Sequence, residues 1–126
     1  QCFYSLQNKL EQNNLSLEFE TKSIRAKIVS DKCLELKKKD FYPDIIIAHS
    51  GWGESLLLKN IWCNVKIISY MELYYVLEDN MSIEMKNKLT MRNAPYLLSI
   101  VDSDYCVTPT IYQKNTFPIF LIKTQR

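Results

Sequence analysis

The spacing of apolar residues changes several times along this chain, and each change marks an element. Phe3, Leu6 and Leu10 stand at helical spacing, and Asn13-Asn14 interrupts them. The alternating Leu15, Leu17 and Phe19 that follow suit either a helix or a strand. From about Glu20 to Lys39, Ile24, Ile28, Val29 and Leu36 form an apolar stripe on an otherwise charged segment, which predicts an amphipathic helix. Phe41-Tyr42-Pro43 leads into Ile45-Ile46-Ile47-Ala48, an unalternating apolar run that predicts a parallel strand buried on both faces. Glu54 to Lys59 reads as a helix opening, with an acid in the first turn where it complements the macrodipole. Val65 to Tyr70 predicts a second strand, and Ser82 to Val101 a long helix broken or kinked at Pro95. Tyr105-Cys106-Val107 predicts a short third strand. Thr108 as cap and Pro109 at the first helical position then begin a helix that ends before Pro118, and Ile119 to Ile122 would start a fourth strand. Helices and buried strands in alternation predict an α/β fold with a mostly parallel sheet.

Composition sharpens one turn above all others. Both glycines and the only histidine of the 126 residues fall in His49-Ser50-Gly51-Trp52-Gly53-Glu54, directly after the first clear strand. Glycine serves where φ must be positive or where something must approach the backbone closely, so a glycine-poor chain that keeps both here has a demanding turn. Open α/β sheets bind ligands at the carboxyl ends of their strands, which places His49, Gly51, Trp52, Gly53 and Glu54 along a cleft. Met71-Glu72-Leu73-Tyr74-Tyr75 follows the second strand and meets the same edge. There Glu72 has the position either of a hydrogen-bonding or acid/base carboxylate or of an exposed loop acid.

Other chemistry is excluded or weakened. A length of 126 residues supports one core rather than two ordinary domains. A formal charge of +2 gives no argument for nucleic acid, and Lys37-Lys38-Lys39 ends a predicted helix, where cations are favoured. Cys2, Cys33, Cys63 and Cys106 form no CxxC pair, so neither zinc nor redox chemistry is indicated. The two glycines cannot build a dinucleotide fingerprint or a P-loop. Ser50 lacks the fifth-position glycine of a nucleophile elbow and a separate histidine to act as its base, which argues against a serine hydrolase.

Taken together, Tyr42-Pro43-Asp44 through His49-Ser50-Gly51-Trp52-Gly53-Glu54, Ser69 to Tyr75, Arg92-Asn93-Ala94, and Thr108-Pro109-Thr110-Ile111-Tyr112-Gln113 with Phe117-Pro118 resemble the N-terminal domain of glycosyltransferase family 4 enzymes. The HxGWGE and PTxxQ elements carry most of that resemblance. It implies a three-layer Rossmann-like domain, half of a GT-B enzyme, and retaining transfer of a sugar from a nucleotide-sugar donor to a hydroxyl without an obligatory metal. It implies that His49 and the Gly51 to Gly53 turn face the interdomain cleft and that Glu72 borders the acceptor. By the same resemblance Arg92 and Asn93 support that wall, with Thr110 and Gln113 at a helix start facing the cleft. The implied partners are the nucleotide sugar and a glycan or lipid-linked acceptor in surface-polysaccharide or glycan synthesis. The implied place is the cytoplasm, with peripheral association at the inner face of the membrane if the acceptor is a lipid.

Three departures qualify the match. Ser50 stands where the family usually has Pro. The family's opening strand has no counterpart before Gln1, and its paired glutamates, spaced E-x7-E on the second domain, have none here. The expectation is a partial domain, 1–126, inactive by itself because transfer requires both walls of the cleft. The competing expectation is a non-catalytic interaction module whose glycine turn is structural and whose open sheet edge takes a partner.

Overall fold

The computed structural model of the protein describes residues 15–118. Helix α1 (Leu17–Lys37) leads to strand β1 (Ile45–His49), short helix α2 (Leu58–Ile61), strand β2 (Lys66–Tyr70), helix α3 (Ile83–Val101), strand β3 (Tyr105–Val107) and helix α4 (Ile111–Thr116). The strands form one parallel sheet in the order β1-β2-β3. Ile45 is in register with Lys66, His49 with Tyr70, and Tyr70 with Val107. The α/β, parallel architecture is the one anticipated. The helix expected around Phe3 to Leu10 and the strand expected from Ile119 lie outside the described residues.

Helices α1, α2 and α3 cover one face of the sheet. Leu58, Ile61 and Trp62 close over Ile67 of β2, and Val29, Cys33, Ile46 and Val65 pack around them. A second cluster of Met71, Ile100 and Phe117, with Tyr74 and Cys106, anchors the loop after β2 to α3 and to the end of α4. Beside that cluster, hydroxyls join α3, and Ser103 just beyond its end, to the sheet and the glycine turn. Ser99 Oγ lies 2.7 Å from Ser50 O and 3.4 Å from Ser55 Oγ, and Ser69 Oγ meets Ser103 Oγ at 2.5 Å. Ser103 Oγ donates in turn to Ser99 O at 2.6 Å. Buried hydroxyls persist only when each has a partner, and small side chains let the helix approach closely.

The other face is open, which corrects the expectation of a β1 buried on both sides. Residues in parallel register point the same way. Ile45, Ile47, Tyr70, Tyr105 and Val107 therefore share a face, and all are exposed, Ile47 at 71 %. The described helices supply only one covering layer, so a run apolar enough for two is covered on one side.

Helix α1 corrects a second expectation. Its buried positions are Ala26 and Ser30, whereas Ile24, Ile28 and Leu36 are exposed, Ile28 at 60 %. A helix that packs closely through small residues does not bury its largest ones. The third correction concerns the segment after the glycine turn. Residues 54–57 form turns closed by Leu56 N to Gly53 O and Leu58 N to Ser55 O, and regular helix begins only at Leu58. Buried Ser55 faces α3, and the left-handed backbone at Gly53 keeps Glu54 out of a helical turn. Helix α3 runs unbroken through buried Pro95, from a Ser82 cap whose hydroxyl accepts from Met85 N–H. Thr110, not Thr108, caps α4, so Pro109 precedes the helix instead of opening it. No described helix is long and apolar enough to cross a membrane.

Candidate functional site

The last residue of β1 is His49, and the chain leaves the carboxyl edge of the sheet through the glycine turn. Ser50 N–H donates to Tyr70 O at 3.1 Å, continuing the ladder by one residue, and its fully buried hydroxyl donates to the same oxygen. Ser50 is thus part of the floor. The two glycines fit the turn to the helices above and beside it. A Cβ on Gly51 would stand 2.3 Å from the Tyr96 ring, and one on Gly53, whose φ is 98°, would stand 2.5 Å from Lys22 O. Close approach and a left-handed backbone both demand glycine here, and the neighbours in each case are protein atoms.

On this floor the imidazole of His49 is held at both nitrogens. Gly51 N–H donates to Nδ1 at 3.3 Å, which assigns the proton to Nε2, and Nε2 lies 2.9 Å from Glu72 Oε2. Trp52 stands edge-on to the ring at 5.7 Å between centroids, and Tyr70 flanks it at 5.9 Å. The Glu72 side chain is 57 % exposed, so water and ligands can reach the His49–Glu72 pair. A donor N–H and an acceptor carboxylate side by side can hold a hydroxyl group between them.

Arg25, which no sequence motif marks, completes this corner. From α1 its guanidinium donates to Trp52 O at 3.2 Å, lies 5.4 Å from the Trp52 ring centroid and stands 3.6 Å from Glu54. Glu18, Lys22 and Arg25 recur along one stripe of α1, a pattern usually read as a solvated face. Here the stripe meets α3 and the glycine turn. Burial lowers the Lys22 ammonium's affinity for its proton, and the Arg92 and Arg25 charges lower it further against the pull of Glu18.

The remaining expected site residues occupy two further places. Arg92 on α3 binds Glu18 of α1, with Nε and Nη2 at 2.7 and 2.6 Å from Oε1. Buried Asn93 clamps the loop after β2, accepting from Tyr75 N–H at 2.9 Å and donating to Tyr75 O at 2.8 Å. Both residues therefore fix the loop that carries Glu72, Arg92 through its stacking on Tyr75. Beside that loop lies an apolar groove of about 290 Å³ along Tyr74 to Leu77, backed by Asn93 and Leu97. Thr110 and Gln113 bind each other: Thr110 Oγ1 accepts from Gln113 N–H and donates to Gln113 Oε1 at 2.7 Å, an N-cap past the carboxyl end of β3. Among the described residues no group of three or more His, Cys, Asp or Glu side chains is placed to hold a metal ion.

Comparison with curated proteins and with solved structures returned no match. A family comparison matched residues 2–123, nearly the whole chain, to the glycosyl transferase family 4 group. The strand, glycine turn and facing carboxylate described above all fall within the matched span, and the chain belongs to the glycosyl transferase family 4 group.

Proposed function

We propose that this chain is the acceptor-side half of a GT-B transferase that moves a sugar from a nucleotide donor to a hydroxyl with retention of configuration. The observation that carries the reading is the His49 imidazole, fixed in one tautomer between Gly51 N–H and Glu72 at the carboxyl edge of the sheet. In that tautomer Nε2–H is a donor for a hydroxyl of the transferred sugar or for a phosphate oxygen of the donor. On this reading Glu72 would accept from the acceptor's hydroxyl once a ligand separates the pair. The groove beside Tyr74 to Leu77 would receive the unreacting part of a glycan or lipid-linked acceptor. Donor recognition and the paired glutamates belong to a second domain. On this reading the chain alone aligns one substrate and leaves transfer to the full protein. A place in surface-polysaccharide or glycan synthesis, at the inner face of the membrane for a lipid acceptor, belongs to the same reading.

The test is acceptor-dependent nucleotide release by the full-length protein across a panel of nucleotide sugars. His49→Ala should lower kcat by about 100-fold or more, the scale of removing one preorganised donor, with an unchanged Tm. A variant that turns over at the wild-type rate would sink the site.

One observation favours a second reading, an interaction module. The exposed face of Ile45, Ile47, Tyr105 and Val107 is a surface that another chain could cover. That reading expects concentration-dependent association unaffected by His49→Ala.

A further inference from the structure

Three cations converge where α1 crosses α3 and the glycine turn. Lys22 and Arg25 lie one turn apart on α1 and Arg92 lies on α3, each partly withdrawn from solvent. Each stands over an aromatic ring: Lys22 Nζ is 5.6 Å from the Tyr96 centroid, Arg25 Cζ 5.4 Å from Trp52 and Arg92 Cζ 5.7 Å from Tyr75. Tyr75 and Tyr96 pack edge to face at 6.3 Å, and Tyr96 seats Gly51, so the rings form one continuous wall with the turn. The carboxylates present do not balance the cluster. Glu18 pairs with Arg92 and Glu54 with Arg25, whereas no carboxylate among the described residues lies within ion-pairing distance of Lys22. The Lys22 ammonium has part of its hydration removed and both guanidinium charges acting on it, against the attraction of Glu18, a carboxylate that Arg92 already holds. Three cations facing two carboxylates leave the cluster with a net positive charge, which an anion joining it would reduce.

We infer that Lys22, Arg25 and Arg92 form a binding site for a phosphate ester, on the wall shared by α1, α3 and the glycine turn. The aromatic rings hold each cation by one side and leave N–H groups free. Arg25 uses Nη1 on Trp52 O, Arg92 uses Nε and Nη2 on Glu18, and Lys22 Nζ has no hydrogen bond to a described residue. Planar guanidinium forks and a point-charge ammonium together suit a phosphate, whose several oxygens accept from different directions, better than a planar carboxylate. The phosphate could belong to a soluble phosphorylated compound or to a lipid headgroup, since the chemistry that recognises it is the same. The site stands on charge geometry alone and does not depend on sugar transfer by this protein.

The experiment is calorimetric titration of the full chain at low salt with glycerol 3-phosphate, and co-sedimentation with phosphatidylcholine vesicles with and without phosphatidic acid. Lys22→Met keeps the aliphatic stem and removes the repelled charge, so its Tm should be unchanged or raised. Its affinity for the phosphate probe should fall by about tenfold, and Lys22→Arg should restore it. Saturable binding of glycerol 3-phosphate that depends on Lys22 establishes the site with a soluble source. Binding only to phosphatidic acid vesicles, again dependent on Lys22, establishes it with a lipid source. Binding of neither probe, or equal binding by Lys22→Met, overturns the inference.

Discussion

At the amino edge of the sheet, Asp104 gathers its partners tightly. Its carboxylate accepts from Lys59 at 2.9 Å, from Lys66 at 2.8 Å and from Ile67 N–H at 2.9 Å, and its own N–H donates to Ile67 O. Those bonds, Lys59 first and then Lys66 and the Ile67 amide, hold the carboxyl far below the usual carboxylate range. At the carboxyl edge charged and polar groups are distributed differently. There Glu72 and Glu54 each meet one cationic or imidazole partner on an accessible surface, through His49 and Arg25, while Gly51, Gly53 and Ser50 beneath them are buried. One edge uses charge to close the fold. The other keeps its rigidity in the backbone and leaves charged groups available to a ligand.

Substitutions can break or sharpen that contrast. The largest effect is expected from Gly51→Ala, where the new methyl has no room against the Tyr96 ring; the cost should be about 3 kcal/mol by denaturant titration. Much of that cost should vanish in a Tyr96→Leu background, and an equal cost in both backgrounds would place the strain elsewhere. Next, Asp104→Asn should lose about 2 kcal/mol, the scale of charge-assisted hydrogen bonds, while leaving transfer by the full protein unchanged. The pH dependence follows from the sign of its shift. A carboxyl depressed in the folded state stabilises above its unfolded pKa, near ~3.9, and that contribution disappears as pH falls through the folded value. The wild-type unfolding midpoint should therefore decline below about pH 4, and Asp104→Asn should flatten the decline. The smallest effect on stability belongs to Glu72→Gln, under about 0.5 kcal/mol because the side chain is mostly exposed. Transfer should nevertheless fall. If stability fell and transfer held, the two edges would not differ in the way argued.

The strands were legible because their signals are local. β2 and β3 stand where the runs Val65–Tyr70 and Tyr105–Val107 put them, and the Ser82 start of α3 follows from a hydroxyl that can cap. Helix α1 was legible as a helix but not in its orientation. A hydrophobic stripe predicts which side faces inward only when bulky residues make the contact, and here Ala26 and Ser30 are the buried positions, with only Val29 of the stripe packed against the core. That rotation of the buried face also hid Lys22 and Arg25, because a charged stripe at helical spacing normally means solvent. The start of α4 was misplaced by two residues because Thr108-Pro109 and Thr110 offer competing caps. Gln113, whose side chain returns to Thr110, decides between them. His49 and Glu72 were legible as separate candidates, whereas their contact depends on the β1–β2 register, which no run of residues encodes by itself.

The hydroxyl seam between α3 and the sheet has a mechanical consequence. An interface of leucines tolerates sliding, since dispersion has no preferred direction and a shifted side chain finds new neighbours. A seam of Ser50, Ser55, Ser69, Ser99 and Ser103 does not, because a hydrogen bond has a direction and a narrow range of length. Helix α3 is indexed to the sheet like a gear tooth in its slot. Sliding of the β1 end past α3 would strain these bonds, which couples that end to α3 and, through it, to Arg92, Asn93 and the loop they hold.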